Sequence, residues 1–195
     1  MTVPVTQVAG DTGIRPLAGW RGLDSASSAS HCPGMSTALS HIVLPPDRRQ
    51  SPTALNIQRG VRRLFAEMGC VTLPEFSLAN GRRADVIALC GVGKLTIVEI
   101  KSSVADFRAD RKWPDYRDYC DRFFFAIPET VPESLIPEEC GLIVADAFGA
   151  AILREPPDHP LSPARRKAVT LRFAHSAAGL LHSLADPGAI REGAL

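Results

Sequence analysis

The sequence carries no surplus of charge of either sign: 22 Lys and Arg stand against 21 Asp and Glu, a formal net charge of +1. The overall balance therefore neither points to a polyanionic partner nor excludes one, and only a local cluster of bases can argue for it. Long hydrophobic runs are missing as well. No stretch approaches the ~18 apolar residues that a membrane-spanning helix needs, which excludes that class. The five cysteines, Cys32, Cys70, Cys90, Cys120 and Cys140, are odd in number and form no CxxC pair. This argues against a disulfide framework and a thiolate zinc site, so reduced thiols are expected. The start, MTVPVTQVAGDTGIRPLAGW, lacks both the basic cluster and the apolar run of a secretory leader, and a cytoplasmic protein is expected. Several enzyme signatures are missing too. Gly91-Val92-Gly93-Lys94 is no phosphate loop, because Ala88 and Leu95 stand where that motif needs Gly and Ser or Thr. There is no GxSxG, and the five histidines include no HExxH.

What is present suits one domain of ordinary size. At 195 residues and 45% hydrophobic the chain can bury a core without a disulfide or metal staple. Residues 1–50 are rich in Gly, Pro, Ser and Thr and close to low complexity at Ser25–Ser30. They read as a disordered tail, or as lying partly upstream of a translation start near Met35. Residues 51–195 read as a single domain. Leu55, Val61, Leu64, Phe65 and Met68 recur at helical spacing up to a stop at Gly69. Three strands follow, CVTLPEFSLA, RRADVIALC and KLTIVEIKSS, joined at Asn80-Gly81 and Gly91-Val92-Gly93. Short helices over Val104–Arg111 and Asp115–Asp121 precede a strand at RFFFAIP and two more at GLIVADAFG and AAILREP. A helix over 162–185 ends the pattern, with Leu171, Ala174, Ala178, Leu181 and Leu184 on one stripe. The order predicts an α/β sandwich, a central mixed β-sheet flanked by helices.

Chemistry concentrates in RRADVIALCGVGKLTIVEIKSS. Glu99 and Lys101 stand two apart in an apolar strand, so alternation puts them on one face. If Gly91-Val92-Gly93 is a three-residue loop, Cys90 pairs with Lys94, Asp85 lies opposite Glu99 and Arg83 opposite Lys101. A loop one residue shorter or longer would turn these side chains to the other face. Two facing carboxylates repel unless a cation lies between them, and oxygen ligands suit Mg²⁺ or Mn²⁺. Such a site, with Lys101 beside it, fits metal-assisted phosphodiester hydrolysis. The competing reading is a structural ion pair, although desolvation usually cancels what such a pair gains in an apolar strand.

Asp85 followed by Glu99-Ile100-Lys101 on the next strand, after a helix, resembles the PD-(D/E)XK, or restriction-endonuclease-like, superfamily, with Ala84 in place of the usual Pro. RRADVIAL, IVEIKSSVADFRADRKWPDYRDYCDRFFFAIP and GLIVADAFGA resemble the MmcB-type bacterial DNA repair family over about residues 51–185. The resemblance implies a restriction-endonuclease-like sandwich and a role in DNA repair, with Asp85 and Glu99 as metal ligands and Lys101 as the catalytic lysine. It offers Glu75 or Glu67 as an additional acid. DNA, at the nucleoid, is the implied partner, together with other repair proteins.

The bases Arg83, Arg108, Arg111 and Lys112 are candidate phosphate contacts, interleaved with Trp113, Tyr116 and Tyr119. Asp106, Asp110, Asp115, Asp118 and Asp121 lie among them, so pairing within the chain competes with DNA contact. Trp113 and Tyr119 read as packing residues, and Cys90 and Cys120 as small buried apolar ones. Two functions remain open: a metal-dependent DNA endonuclease, and a non-catalytic DNA-binding or adaptor domain on the same fold. RNA is a more remote target.

Overall fold

The computed structural model describes residues 50–110 and 112–186. The expected tail (except for Gln50) and Arg111 lie outside the described residues. Helix α1 (Pro52–Glu67) is capped by Ser51, whose side chain accepts from the Ala54 amide, and Pro52 occupies the first helical position. Strands β1 (Cys70–Ser77), β2 (Arg83–Cys90) and β3 (Leu95–Ile100) follow, then the short helix α2 (Val104–Ala109). The second predicted helix is a 3₁₀ helix over Trp113–Tyr119. Strands β4 (Arg122–Ile127), β5 (Gly141–Ala145) and β6 (Ala150–Arg154) and the long helix α3 (Pro163–Ala185) complete the chain. No helix among the described residues is long and apolar enough to cross a membrane.

The six strands form one sheet in chain order, β1 to β6. β1, β2 and β3 are antiparallel, β4 and β5 run parallel to β3, and β6 returns antiparallel to β5. The predicted mixed sheet flanked by helices is the observed architecture. Every residue of β3 is buried, as expected for a strand covered on both faces. On one face Ile57, Val61 and Phe65 of α1 pack on Val86, Val98, Phe124 and Ile143. On the other, Phe76, Ile97, Phe123 and Phe125 meet Tyr116, Tyr119, Val169 and Phe173. Trp113 stacks on Phe123 with ring centroids 5.8 Å apart, so its packing role holds.

Two expectations are corrected. The apolar stripe of α3 is not the leucine stripe: Leu171 and Leu181 are about 60% exposed, and Val169 and Phe173 are buried instead. The sheet leaves one flank of α3 to cover, and that flank carries Val169, Phe173, Ala177 and Leu180. The cysteines are not all reduced either. Cys70 and Cys90 form a disulfide, because the β1–β2 register sets them directly opposite, with Cα atoms 4.1 Å apart. Cys90 is therefore not a plain apolar residue, whereas Cys120 and Cys140 are free and buried.

Gly60 is where α1 crosses the β5–β6 turn. A Cβ there would overlap the carbonyl oxygens of Asp146 and Gly149, which are backbone and cannot swing away. Helix propensity alone would favour alanine by about 1 kcal/mol. Overpacking should reverse the sign, so Gly60→Ala is expected to destabilise by about 1–3 kcal/mol, seen as a lower urea midpoint. An unchanged midpoint would mean that the helix lifts off the turn at no cost.

Candidate active site

The geometry of the site follows from one tight loop. The Cys90 amide donates to the Lys94 carbonyl at 3.0 Å, and Gly93 adopts φ +77°, a conformation that favours glycine. This is the three-residue connection anticipated above, and the ladder continues as Ala88↔Thr96 and Val86↔Val98. Carried one residue further, that register sets Asp85 opposite Glu99. Instead of a backbone pair, Asp85 Oδ2 accepts from the Ile100 amide at 2.7 Å, which fixes its carboxylate at the end of β3.

Glu99 is 4% exposed and Lys101 5%, and both line a cleft of about 340 Å³ with Asp85, Ile100, Ser102 and Asp106. Ser51 and Ala54 from the first turn of α1 close its far side. The Lys101 ammonium lies 3.8 Å from Glu99 Oε2 and 2.6 Å from Asp110 Oδ2. Asp110, the residue that ends α2, is a site member that sequence reading treated only as one acid among several. Its i+9 spacing from Lys101 carries no periodic signal.

The electrostatics are those of a crowded acidic pair. Burial, and then the charge of Asp85, push the Glu99 carboxyl well above the ordinary carboxylate range against the pull of Lys101. Burial likewise raises Asp85, although the Ile100 amide and Lys101 oppose it. For Lys101, burial favours the neutral amine, but the bond to Asp110 and the charge of Glu99 outweigh it, so the pKa is raised and the group is an ammonium at neutral pH. Glu99 Oε1 is buried and has no hydrogen-bond partner among the described residues. The Tyr116 hydroxyl, which donates to the Arg83 carbonyl at 3.1 Å, is close enough to Glu99 to favour its charged form but does not satisfy Oε1. Buried polar atoms are nearly always paired, and an orphan oxygen beside a second carboxylate could take a cation.

The donor set fits Mg²⁺ or Mn²⁺, which bind through one or two carboxylates and keep several waters. Among the described residues no group of three or more His, Cys, Asp and Glu side chains is placed to hold a metal ion together. Glu75 adopts φ 52°, an uncommon conformation for a non-glycine residue, and drops out of the ladder between Pro74↔Val86 and Phe76↔Ala84. Its carboxylate lies 2.6 Å from the Arg83 guanidinium and accepts from Gln50, which lines the cleft. Glu67 ends α1, about 20 Å along the helix from Ala54, which lines the cleft.

The candidate DNA contacts divide. Arg83 is engaged by Glu75, Arg108 and Lys112 are exposed, and Arg111 lies outside the described residues. Pairing within the chain takes Arg82 to Asp115 and Lys94 to Asp158, and Arg117 caps the Glu139 carbonyl.

A search of curated proteins finds no match. The SPO1766 protein of Silicibacter pomeroyi, a protein of unknown function, has a solved structure 42% identical in sequence with a TM-score of 0.70. That match covers 72% of this chain and 97% of the other. The structure of Pyrococcus furiosus SfsA in complex with Ca²⁺ is 13% identical with a TM-score of 0.30, covering 51% of this chain and 62% of that one. The sequence model of a family described as "DNA repair protein MmcB-like" matches residues 43–188, which include β1 to β6 and the whole cleft. The chain belongs to the MmcB-like DNA repair protein family.

Proposed function

We propose that the protein is a divalent-metal-dependent DNA endonuclease acting in repair, with Asp85 and Glu99 as the metal ligands and Lys101 as the catalytic lysine. The observation that carries the reading is the unpaired, buried Oε1 of Glu99 beside Asp85, with an ammonium in the same cleft. A cation held there supplies Lewis acidity at a phosphoryl oxygen and lowers the pKa of a water it carries. The residues do the rest. Hydrolysis joins a water oxygen to phosphorus, breaks one P–O bond and returns a proton to the departing oxygen. Lys101 stays protonated and is held by Asp110, so it acts as a fixed positive charge or proton donor and not as the base. The Ile100 amide keeps Asp85 aimed into the cleft.

The test is incubation of the purified protein with Mg²⁺ or Mn²⁺ and labelled duplex, single-stranded, mismatched and branched DNA. Lys101→Met is expected to lower the cleavage rate on the order of 10²–10³-fold. Its DNA affinity should change little, because one phosphate contact among many is worth a salt slope of about one. Cleavage by Lys101→Met at the wild-type rate would remove the lysine from the mechanism. The second reading is a DNA-binding adaptor that recruits other repair proteins. It is favoured by the close Lys101–Asp110 pair, and because no group of three or more His, Cys, Asp and Glu among the described residues could hold a metal ion. DNA bound by both proteins and cut by neither would establish it.

A further inference from the structure

Outside the cleft, the face of α1 that turns toward β1 forms a groove of about 550 Å³ lined by Gln58, Arg59, Arg62, Arg63 and Thr72, with no acidic side chain in its lining. At 100° per residue, Ser51, Ala54, Gln58 and Arg62 fall on one flank of the helix. The first two line the carboxylate cleft and the last two line the groove, so both are stretches of one continuous surface. From Ala54 to Arg62 that surface runs about 12 Å, the axial length of three to four base pairs.

The three arginines are not equivalent. Arg63 is fixed to the carbonyls of Ala147 (3.1 Å) and Phe148 (2.9 Å) and serves the β5–β6 turn. Arg62 is half-buried and donates only its Nε to Thr72 Oγ1, at 3.2 Å, so among the described residues both of its terminal nitrogens remain uncommitted. Arg59 is exposed and has no ion pair with any described residue. This contrasts with the α2 side of the cleft, where Asp106 and Asp110 stand beside Arg108 and Lys112.

We propose that this groove holds the sugar–phosphate backbone of a DNA strand as it leaves the carboxylate cleft, with Arg59 and Arg62 on successive phosphates. The occupant follows from charge complementarity: an acid-free row of forked donors suits an extended polyanion, since guanidinium groups bind phosphate oxygens in pairs. The proposal rests on the nuclease reading for its direction, from scissile phosphate to flanking phosphates, but not for the existence of the groove contacts.

The experiment measures anisotropy of fluorescein-labelled single-stranded and duplex DNA with the full chain in Ca²⁺, across a series of salt concentrations. Alongside it, calorimetric Mn²⁺ titration of the same proteins reads the carboxylate cleft. Arg59→Ala combined with Arg62→Gln should weaken DNA binding on the order of tenfold and reduce the salt slope by about two, while Mn²⁺ binding stays as in the wild type. Arg62→Lys with Arg59→Lys, which keeps the charge, should restore most of the slope. Arg108→Ala with Lys112→Ala should cost less than the α1 pair. Equal affinity and slope in wild type and the α1 double variant would overturn the proposal, as would a wild type that binds no DNA at any salt concentration. A wild type that binds DNA with the expected salt slope but neither binds Mn²⁺ nor cleaves would instead remove the nuclease reading and leave the groove standing.

Discussion

Glu99→Gln is expected to abolish divalent-cation binding in the cleft, to lower cleavage on the order of 10³-fold, and to raise the melting temperature of the metal-free protein at pH 8. The stability gain follows from linkage. Burial first, and the charge of Asp85 second, hold the Glu99 carboxyl well above its ordinary 4.5. The folded state therefore binds a proton more tightly than the unfolded one, and stability falls as pH rises from about 4.5 through the folded pKa. Asp85, also raised by burial, adds to the fall. Glutamine keeps the shape and removes the charge, so the variant's melting temperature should decline less between pH 5 and pH 8. A gain of about 1 kcal/mol would appear as 2–4 °C for a domain of this size. Saturating Mn²⁺ should raise the wild-type melting temperature and leave the variant unmoved. Calorimetry with and without Mn²⁺ at the two pH values reads all of this. A variant that melts lower than wild type and still binds Mn²⁺ would show Glu99 to be a structural partner of Lys101 and nothing more.

Much of this cleft was legible in the sequence because its geometry is local. Gly91-Val92-Gly93 fixes the β2–β3 register, and strand alternation then places Glu99 and Lys101 on one face with Asp85 across from them. The same counting would have exposed the disulfide. Cys70 and Cys90 stand equally far on either side of Asn80, the centre of the β1–β2 hairpin, yet the odd number of cysteines argued more loudly than the register. The missed partners are those without periodicity. Asp110 reaches Lys101 by the turn at the end of α2. The arginines of α1 fell outside the basic cluster because they precede the segment from Arg83 to Lys112 that holds the carboxylates. The α3 stripe failed for another reason: leucines mark a helix face only where a core exists to cover them, and α3 lays its Val169–Phe173 flank on the sheet.

Asp121→Ala should produce the largest loss of stability, about 3–5 kcal/mol, or a melting temperature roughly 10 °C lower. Asp121 is 2% exposed and joins three parts of the chain. Its carboxylate accepts from the Leu95 amide at 2.8 Å, where β3 begins, and from the Leu161 amide at 2.9 Å, just before α3. Arg166 of α3 grips both oxygens, at 2.7 and 2.6 Å, and also donates to the Gly93 carbonyl. Alanine would leave two buried amides without acceptors and the guanidinium without its counter-charge. Arg166→Ala should cost clearly less, because the arginine is one-third exposed and the two amides keep their acceptor. The pH dependence runs opposite to that of Glu99. Burial alone would raise the Asp121 carboxyl, but the bonds from Arg166 and the two amides outweigh it and hold the pKa below 3.8. The stability it contributes is thus complete above about pH 3.8 and is lost as pH falls through the folded value. The same anchor has a functional side. β3 starts at Leu95 and carries Glu99 four residues later, so freeing its first residue should loosen the Asp85–Glu99 register. Mn²⁺ affinity is expected to fall in Asp121→Ala and to hold in Arg166→Ala. Equal unfolding midpoints for wild type and Asp121→Ala would show that water replaces the carboxylate and that the three segments hold together without it.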